Sequence, residues 1–225
     1  AEMILLRLIL GVIALGLFLR AYHFSDWLHF ELDQARDARV IDAVFDDGIG
    51  ELPLLGPKAG GTFLRLAPGY YYLQYVSGLV FGETPSGIAL IVMILSVASI
   101  GMFYLFVRRY FTFGIAWALT LLFSVSAFFV MYGRFAWNPN ILPFFILLGL
   151  YALLRAVEKD ERYRERWFLG AIFALTLATH AHFLAFLAVP TITIGFLLLK
   201  RPRFSWRTWV LAISLVAILY LPMAL

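Results

Sequence analysis

The chain contains no cysteine, which excludes disulfides and thiolate-held metals. It is also short of charge: Asp, Glu, Lys and Arg make up 14% of 225 residues, against about 25% in an ordinary soluble domain. The sequence has no P-loop, no Gly-rich dinucleotide fingerprint, no His-Glu-x-x-His and no Gly-x-Ser-x-Gly. Nucleotide-driven and serine-hydrolase chemistry therefore have no support. There is no fixed-period repeat and no low-complexity segment.

What fills the chain is hydrophobicity. Apolar residues account for 63% of it, with mean hydropathy +0.88. That excess is too large for a soluble core, and several runs can cross about 30 Å of hydrocarbon as helices. The reading is an all-α, polytopic membrane protein with one transmembrane domain, 1–225. Seven spans are expected: 3–22, 87–107, 113–132, 141–154, two from 167–199, and 209–225. The run 167–199 is too long for one span, and the break is placed near Thr179-His180-Ala181-His182. Residues 3–19, followed by Arg20-Ala21-Tyr22-His23, do not resemble a cleaved signal peptide.

A long section, 23–86, does not span and forms the first external loop with interfacial helices. Ala35, Ala38, Val40, Ile41 and Val44 give 33–45 one apolar side, as in a short helix. Asp46-Asp47-Gly48-Ile49-Gly50 ends it with turn chemistry, and 56–61 is a loop. Pro68 suits the start of another helix, 69–81, whose Tyr70, Tyr71, Tyr72 and Tyr75 fit a headgroup interface.

The net charge of +4 reads as topology, not as a nucleic-acid footprint. Basic residues follow alternate spans: Arg108 and Arg109; Arg155, Lys159, Arg162, Arg164 and Arg166; Lys200, Arg201, Arg203 and Arg207. The positive-inside rule makes those loops cytoplasmic. Segments 23–86, 134–140 and 180–182 then share the external face of the cell membrane.

Those three segments hold the candidate chemistry. Asp33, Arg36 and Asp37 fall at i, i+3 and i+4 and share a helix face. They are either a carboxylate and cation able to take a proton from an attacking hydroxyl or a solvated ion pair. Lys58 and Arg65 near the tyrosines either hold a lipid phosphate or belong to ordinary interfacial anchoring. Arg134 is a phosphate clamp or a snorkelling end residue. Asn138 and Pro139 suit the start of the next helix. His180 and His182, at i and i+2, do not share a helical face as zinc ligands at i and i+4 do. Histidines at membrane depth are functional candidates nonetheless.

In order and topology these segments resemble the GT-C superfamily of membrane glycosyltransferases, in the branch of protein O-mannosyltransferases and aminoarabinose transferases. The acidic motif is Asp33-Gln34-Ala35-Arg36-Asp37-Ala38; the Pro-aromatic stretch is Ala67-Pro68-Gly69-Tyr70-Tyr71-Tyr72-Leu73; the 134–140 loop is also similar. Two positions depart: Gln34 stands where Glu is common, and Ala67 where a basic residue often precedes the proline. The similarity covers the first half of a typical member.

The resemblance implies inverting sugar transfer from a polyprenyl-phosphate donor to a hydroxyl acceptor at the external face. Asp33 is then the general base, with Arg36, Lys58 and Arg134 on the donor phosphate. Asp37, Tyr70, Tyr71, His180 and His182 support them. A divalent metal, if one takes part, would involve Asp33, Asp37 and His180 or His182; no other cofactor is implied. The competing class is a non-catalytic lipid-phosphate-binding or transport subunit on the same scaffold.

Overall fold

The structure is a computed structural model, and it describes residues 2–58, 62–159 and 161–225. Ten α-helices follow one another among the described residues, with no strand. Helix α1, Glu2–Ala21, is the first apolar run. Helix α2, Leu32–Asp47, opens with the Glu31 amide donating to Gln34 Oε1 at 3.1 Å and buries Ala38, Ile41 and Val44. It stops at Gly48, whose φ of 103° is open to a residue without Cβ. Gly56 N–H donates to Leu66 O at 2.7 Å and Leu66 N–H to Pro57 O at 3.1 Å, which holds 56–57 beside 66. Helix α3, Gly69–Phe81, has the bounds expected from Pro68 and Gly82.

Helix α4, Pro85–Arg108, is capped by Thr84, which accepts the Gly87 amide at 3.0 Å. The expected span 113–132 is cut at Ser126 into α5, Phe113–Val125, and α6, Ala127–Tyr132. A 3-10 turn, Asn138–Ile141, leads into α7, Leu142–Val157. Then come α8, Arg164–Ala181; α9, Phe183–Lys200; and α10, Trp206–Tyr220.

The break inside 167–199 falls where expected. His182 is extended, with φ −159° and ψ 144°, and its Nδ1 accepts the Leu184 amide at 3.1 Å, so it caps α9. Among the described residues, five helical stretches are long and apolar enough to cross a membrane: Met3–Ala21, Pro85–Arg108, Asn138–Val157, Phe183–Lys200 and Trp206–Ala224. Of the other two expected spans, α5 has 13 residues and reaches only about 20 Å. Helix α8 carries Arg164, Glu165 and Arg166 in its first turn.

Small residues set the packing. A Cβ on Gly149 of α7 would lie 2.5 Å from the Leu175 side chain of α8. Ala152, Ala156, Ala171, Ala174 and Ala178 are buried with it. In a bilayer, where apolar burial gives helices little reason to associate, such close approach supplies the van der Waals contact.

The two ends of the bundle differ in chemistry. At one, Arg109 pairs with Glu158, Arg155 pairs with Glu158 and Glu161, and Glu165 accepts the Ser205 amide at 2.7 Å. The three basic loops therefore meet. At the other end, Asn138 Nδ2 donates to Ala181 O at 2.5 Å, and the His29 ring sits edge-on to Phe135 with centroids 4.8 Å apart. The expected gathering of 23–86, 134–140 and 180–182 is present.

Candidate active site

Helix α2 places Asp33, Arg36 and Asp37 on one face. The guanidinium of Arg36 lies between the two acids: Nη1 is 2.8 Å from Asp33 Oδ1, while Nε and Nη2 donate to Asp37 Oδ1 at 2.8 and 2.7 Å. The acids are not equivalent. The Asp33 side chain is 49% exposed and Asp37 is 0% exposed, with Arg36 between them at 39%. Asp33 is open to solvent, and Asp37 touches only its protein neighbours.

Helix α3 completes the group. Tyr71 donates its hydroxyl to Asp37 Oδ1 at 3.1 Å. Burial pushes the Asp37 carboxyl up to about 6, against the pull of Arg36 and of the Tyr71 bond. Burial works against the Arg36 charge too, but the Asp37 charge and hydrogen bond outweigh it and the net shift is upward. Burial, then the Asp37 charge, pushes the Tyr71 hydroxyl up, so it stays a proton donor.

Tyr70 and His180 lie at the junction of α3 and α8. A Cβ on Gly69 would stand 2.7 Å from His180 Nδ1, so glycine lets the start of α3 reach that ring. Both His180 nitrogens and the Tyr70 hydroxyl are buried with no hydrogen-bond partner among the described residues. The same holds for both amide atoms of Gln74, one turn after Tyr70. Sequence reasoning missed Gln74; an amide inside an aromatic helix was the available signal. Groups of this kind cost about 1–3 kcal/mol each unless water or substrate satisfies them.

The remaining expected residues stand apart from this group. Lys58 is exposed, 5.7 Å from the Phe63 ring centroid, and its backbone bridges to Arg65. Arg134 donates to three carbonyls, Leu19 O at 3.0 Å, Arg20 O at 2.9 Å and His23 O at 3.2 Å, and so caps α1. Neither cation forms an ion pair with Asp33 or Asp37 among the described residues. The four residues considered for a metal, Asp33, Asp37, His180 and His182, do not assemble. No group of three His, Asp or Glu side chains among the described residues could hold one. The physical reasons are local: Arg36 occupies an oxygen of each acid, and His182 Nδ1 is committed to the α9 cap.

Arg20 was expected only as the flank of the first span. It is instead fully buried, with Nε donating to Ser96 Oγ at 2.8 Å and Nη1 to Gly16 O and Ser124 O, both at 3.0 Å. Serines inside apolar runs were the signal for it.

Residues 65–225, which include the Pro-aromatic helix and everything after it, match the family model described as dolichyl-phosphate-mannose-protein mannosyltransferase. The chain belongs to that family. It is thus a member of the GT-C superfamily of membrane glycosyltransferases, as its motifs implied. The fold of this mannosyltransferase-family chain is similar to the crystal structure of ArnT from Cupriavidus metallidurans in the apo state. The TM-score is 0.68 at 18% identity, over 98% of this chain and 40% of that one. The chain therefore spans well under half the length of that protein. No curated protein matches it in sequence.

Proposed function

We propose that this chain carries the acidic side of a site that moves a sugar from a polyprenyl-phosphate donor to a hydroxyl acceptor, with inversion, at the external face of the cell membrane. The observation that carries the reading is the Arg36 guanidinium held between an accessible acid and a buried one. The acceptor oxygen attacks the anomeric carbon, and its proton passes to the Asp33 carboxylate. The bond from that carbon to the phosphate oxygen breaks, and its electron pair leaves with the phosphate. One displacement inverts the centre. A carboxylate and a phosphate repel, so a cation must stand beside both. Arg36 does so and cannot lose its proton.

Asp37 and Tyr71 act through Arg36 by fixing its plane. Lys58, in its exposed loop, is a further phosphate contact. Arg134 is another, through donors beyond the three that hold the end of α1. Tyr70, His180 and His182 shape the floor where α3, α8 and α9 meet. No step is routed through a metal.

The test is Asp33→Asn in the full-length protein, in nanodiscs, with donor binding and transfer measured separately. Binding should persist while transfer falls by at least about 100-fold, the usual contribution of a general base. Transfer at the wild-type rate would remove Asp33 from the chemistry. Wild-type protein that binds lipid phosphate but transfers from no donor would instead establish the non-catalytic subunit.

A further inference from the structure

The end of the bundle remote from Asp33 holds a second site. A cleft of about 520 Å³ opens between the start of α8 and the start of α10. Its charged lining residues are Glu165, Arg166 and Arg207; Trp206 forms one wall, and Leu169 and Leu211 continue it along the helices. The acid is already engaged, because Glu165 Oε1 accepts the Ser205 amide at 2.7 Å and so neutralises the N-terminus of α10. The two arginines are exposed and have no carboxylate partner among the described residues. Each lies only near an aromatic ring, Arg166 at 5.0 Å from Tyr163 and Arg207 at 5.9 Å from Trp206. The adjoining α9–α10 connection adds Arg201 and Arg203, both exposed.

The vertical order matters as much as the charge. Trp206 is 71% exposed and Leu211, one turn further along α10, is 55% exposed. Cations therefore sit at a rim, an indole at headgroup level and apolar side chains below, which is the profile of a phospholipid and not of a soluble anion. Arg166 and His180 are fourteen positions apart on α8, so the cleft lies about 21 Å along the axis from the α3–α8 junction. A lipid held here belongs to the other leaflet and cannot present its phosphate to Asp33.

We propose that this cleft binds an anionic phospholipid, with the headgroup phosphate between Arg166 and Arg207 and an acyl chain along Leu169 and Leu211. The lipid cements α8 to α10 at the end where Glu165 already accepts from the start of α10.

The experiment is native mass spectrometry of the full-length protein delipidated in detergent and titrated with phosphatidylglycerol or phosphatidylcholine of equal chain length. Wild type should retain phosphatidylglycerol on the order of 20-fold better, about five-fold for each cation. Arg166→Gln with Arg207→Gln should reduce that preference to near one. The double replacement by Lys should keep most of it, and Arg162→Gln, an exposed arginine outside the cleft, should keep all of it. Millimolar glycerol phosphate should not displace the lipid. Equal retention of the two lipids by wild type, an undiminished preference in the Gln pair, or displacement by glycerol phosphate overturns the proposal.

Discussion

Tyr71→Phe removes one oxygen and leaves the ring that α3 packs. In the wild type that hydroxyl donates to Asp37 Oδ1 at 3.1 Å, while Asp37 Oδ2 has no partner among the described residues. A hydrogen bond to a buried charge contributes about 1.5–3 kcal/mol, equivalent to about 1–2 pH units of carboxyl affinity. The Asp37 carboxyl, now raised from 3.8 to about 6, should therefore rise to roughly 7–8 in the variant. The sign follows from proton binding. A carboxyl raised in the folded state lends stability that is full below 3.8 and lost as pH rises through about 6. In Tyr71→Phe that loss continues to roughly pH 8. The variant should match wild type within about 1 kcal/mol at pH 5 and fall behind by about 1.5–3 kcal/mol at pH 8.5. For a chain of this size that is a melting difference of about 3–12 °C. Thermal unfolding in one detergent at the two pH values measures it. Tyr70→Phe is the control, since the Tyr70 hydroxyl has no protein partner and its loss should be independent of pH. A Tyr71→Phe deficit of the same size at both pH values would refute the assignment of Asp37 as the titrating group.

Arg36→Ala should weaken donor binding and slow transfer together, and should destabilise the fold by up to about 3 kcal/mol because Asp37 stays buried without its cation; Arg36→Lys should restore part of each, and Arg39→Ala, at an exposed position, should change none of them by more than about two-fold in the same binding and turnover assays. Gly69→Ala should drive α3 off the His180 ring and cost about 1–3 kcal/mol, and His180→Ala should recover most of it when the two are combined; additive losses in thermal unfolding would deny the contact. Orientation is checked by single cysteines, there being none in the chain: Asp47→Cys should react with an impermeant thiol reagent on intact cells and Lys159→Cys only after lysis, the reverse pattern placing the acidic site inside.

The helices were legible where local chemistry settles them. Gly48 stops α2 and Pro68 leads into α3, whereas the Thr84 cap that starts α4 two residues before the expected 87 was not read. The break before Phe183 was legible because the mostly apolar run 167–199 is too long for one bilayer crossing. The acidic motif was legible as a face because i, i+3 and i+4 coincide on a helix. The unequal burial of Asp33 and Asp37 was not, since it depends on where α3 lies, and Tyr71 is 34 residues away from its acceptor. Arg134 shows the same limit. An arginine at the end of a span is compatible with phosphate or water, and only the fold brings the carbonyls of Leu19, Arg20 and His23 beneath it. Ser126 hides in an apolar run that reads as one span, because an interruption of a single residue barely alters its hydropathy.

The Arg20 cluster constrains the order in which the protein is made. Ser96 is 76 residues beyond Arg20 and Ser124 is 104 beyond it, and the Arg134 cap reaches back 114 residues to the same turn. At about 5–20 residues per second, the ribosome needs roughly 5–20 s after Arg20 to deliver its second partner. Through that interval the guanidinium has only the Gly16 carbonyl of its own helix and water at the surface to turn to. The arginine can move inward only when α4 and α5 arrive with their serine oxygens. Helix α1 is therefore made before α4 and α5 and fixed in place only with them.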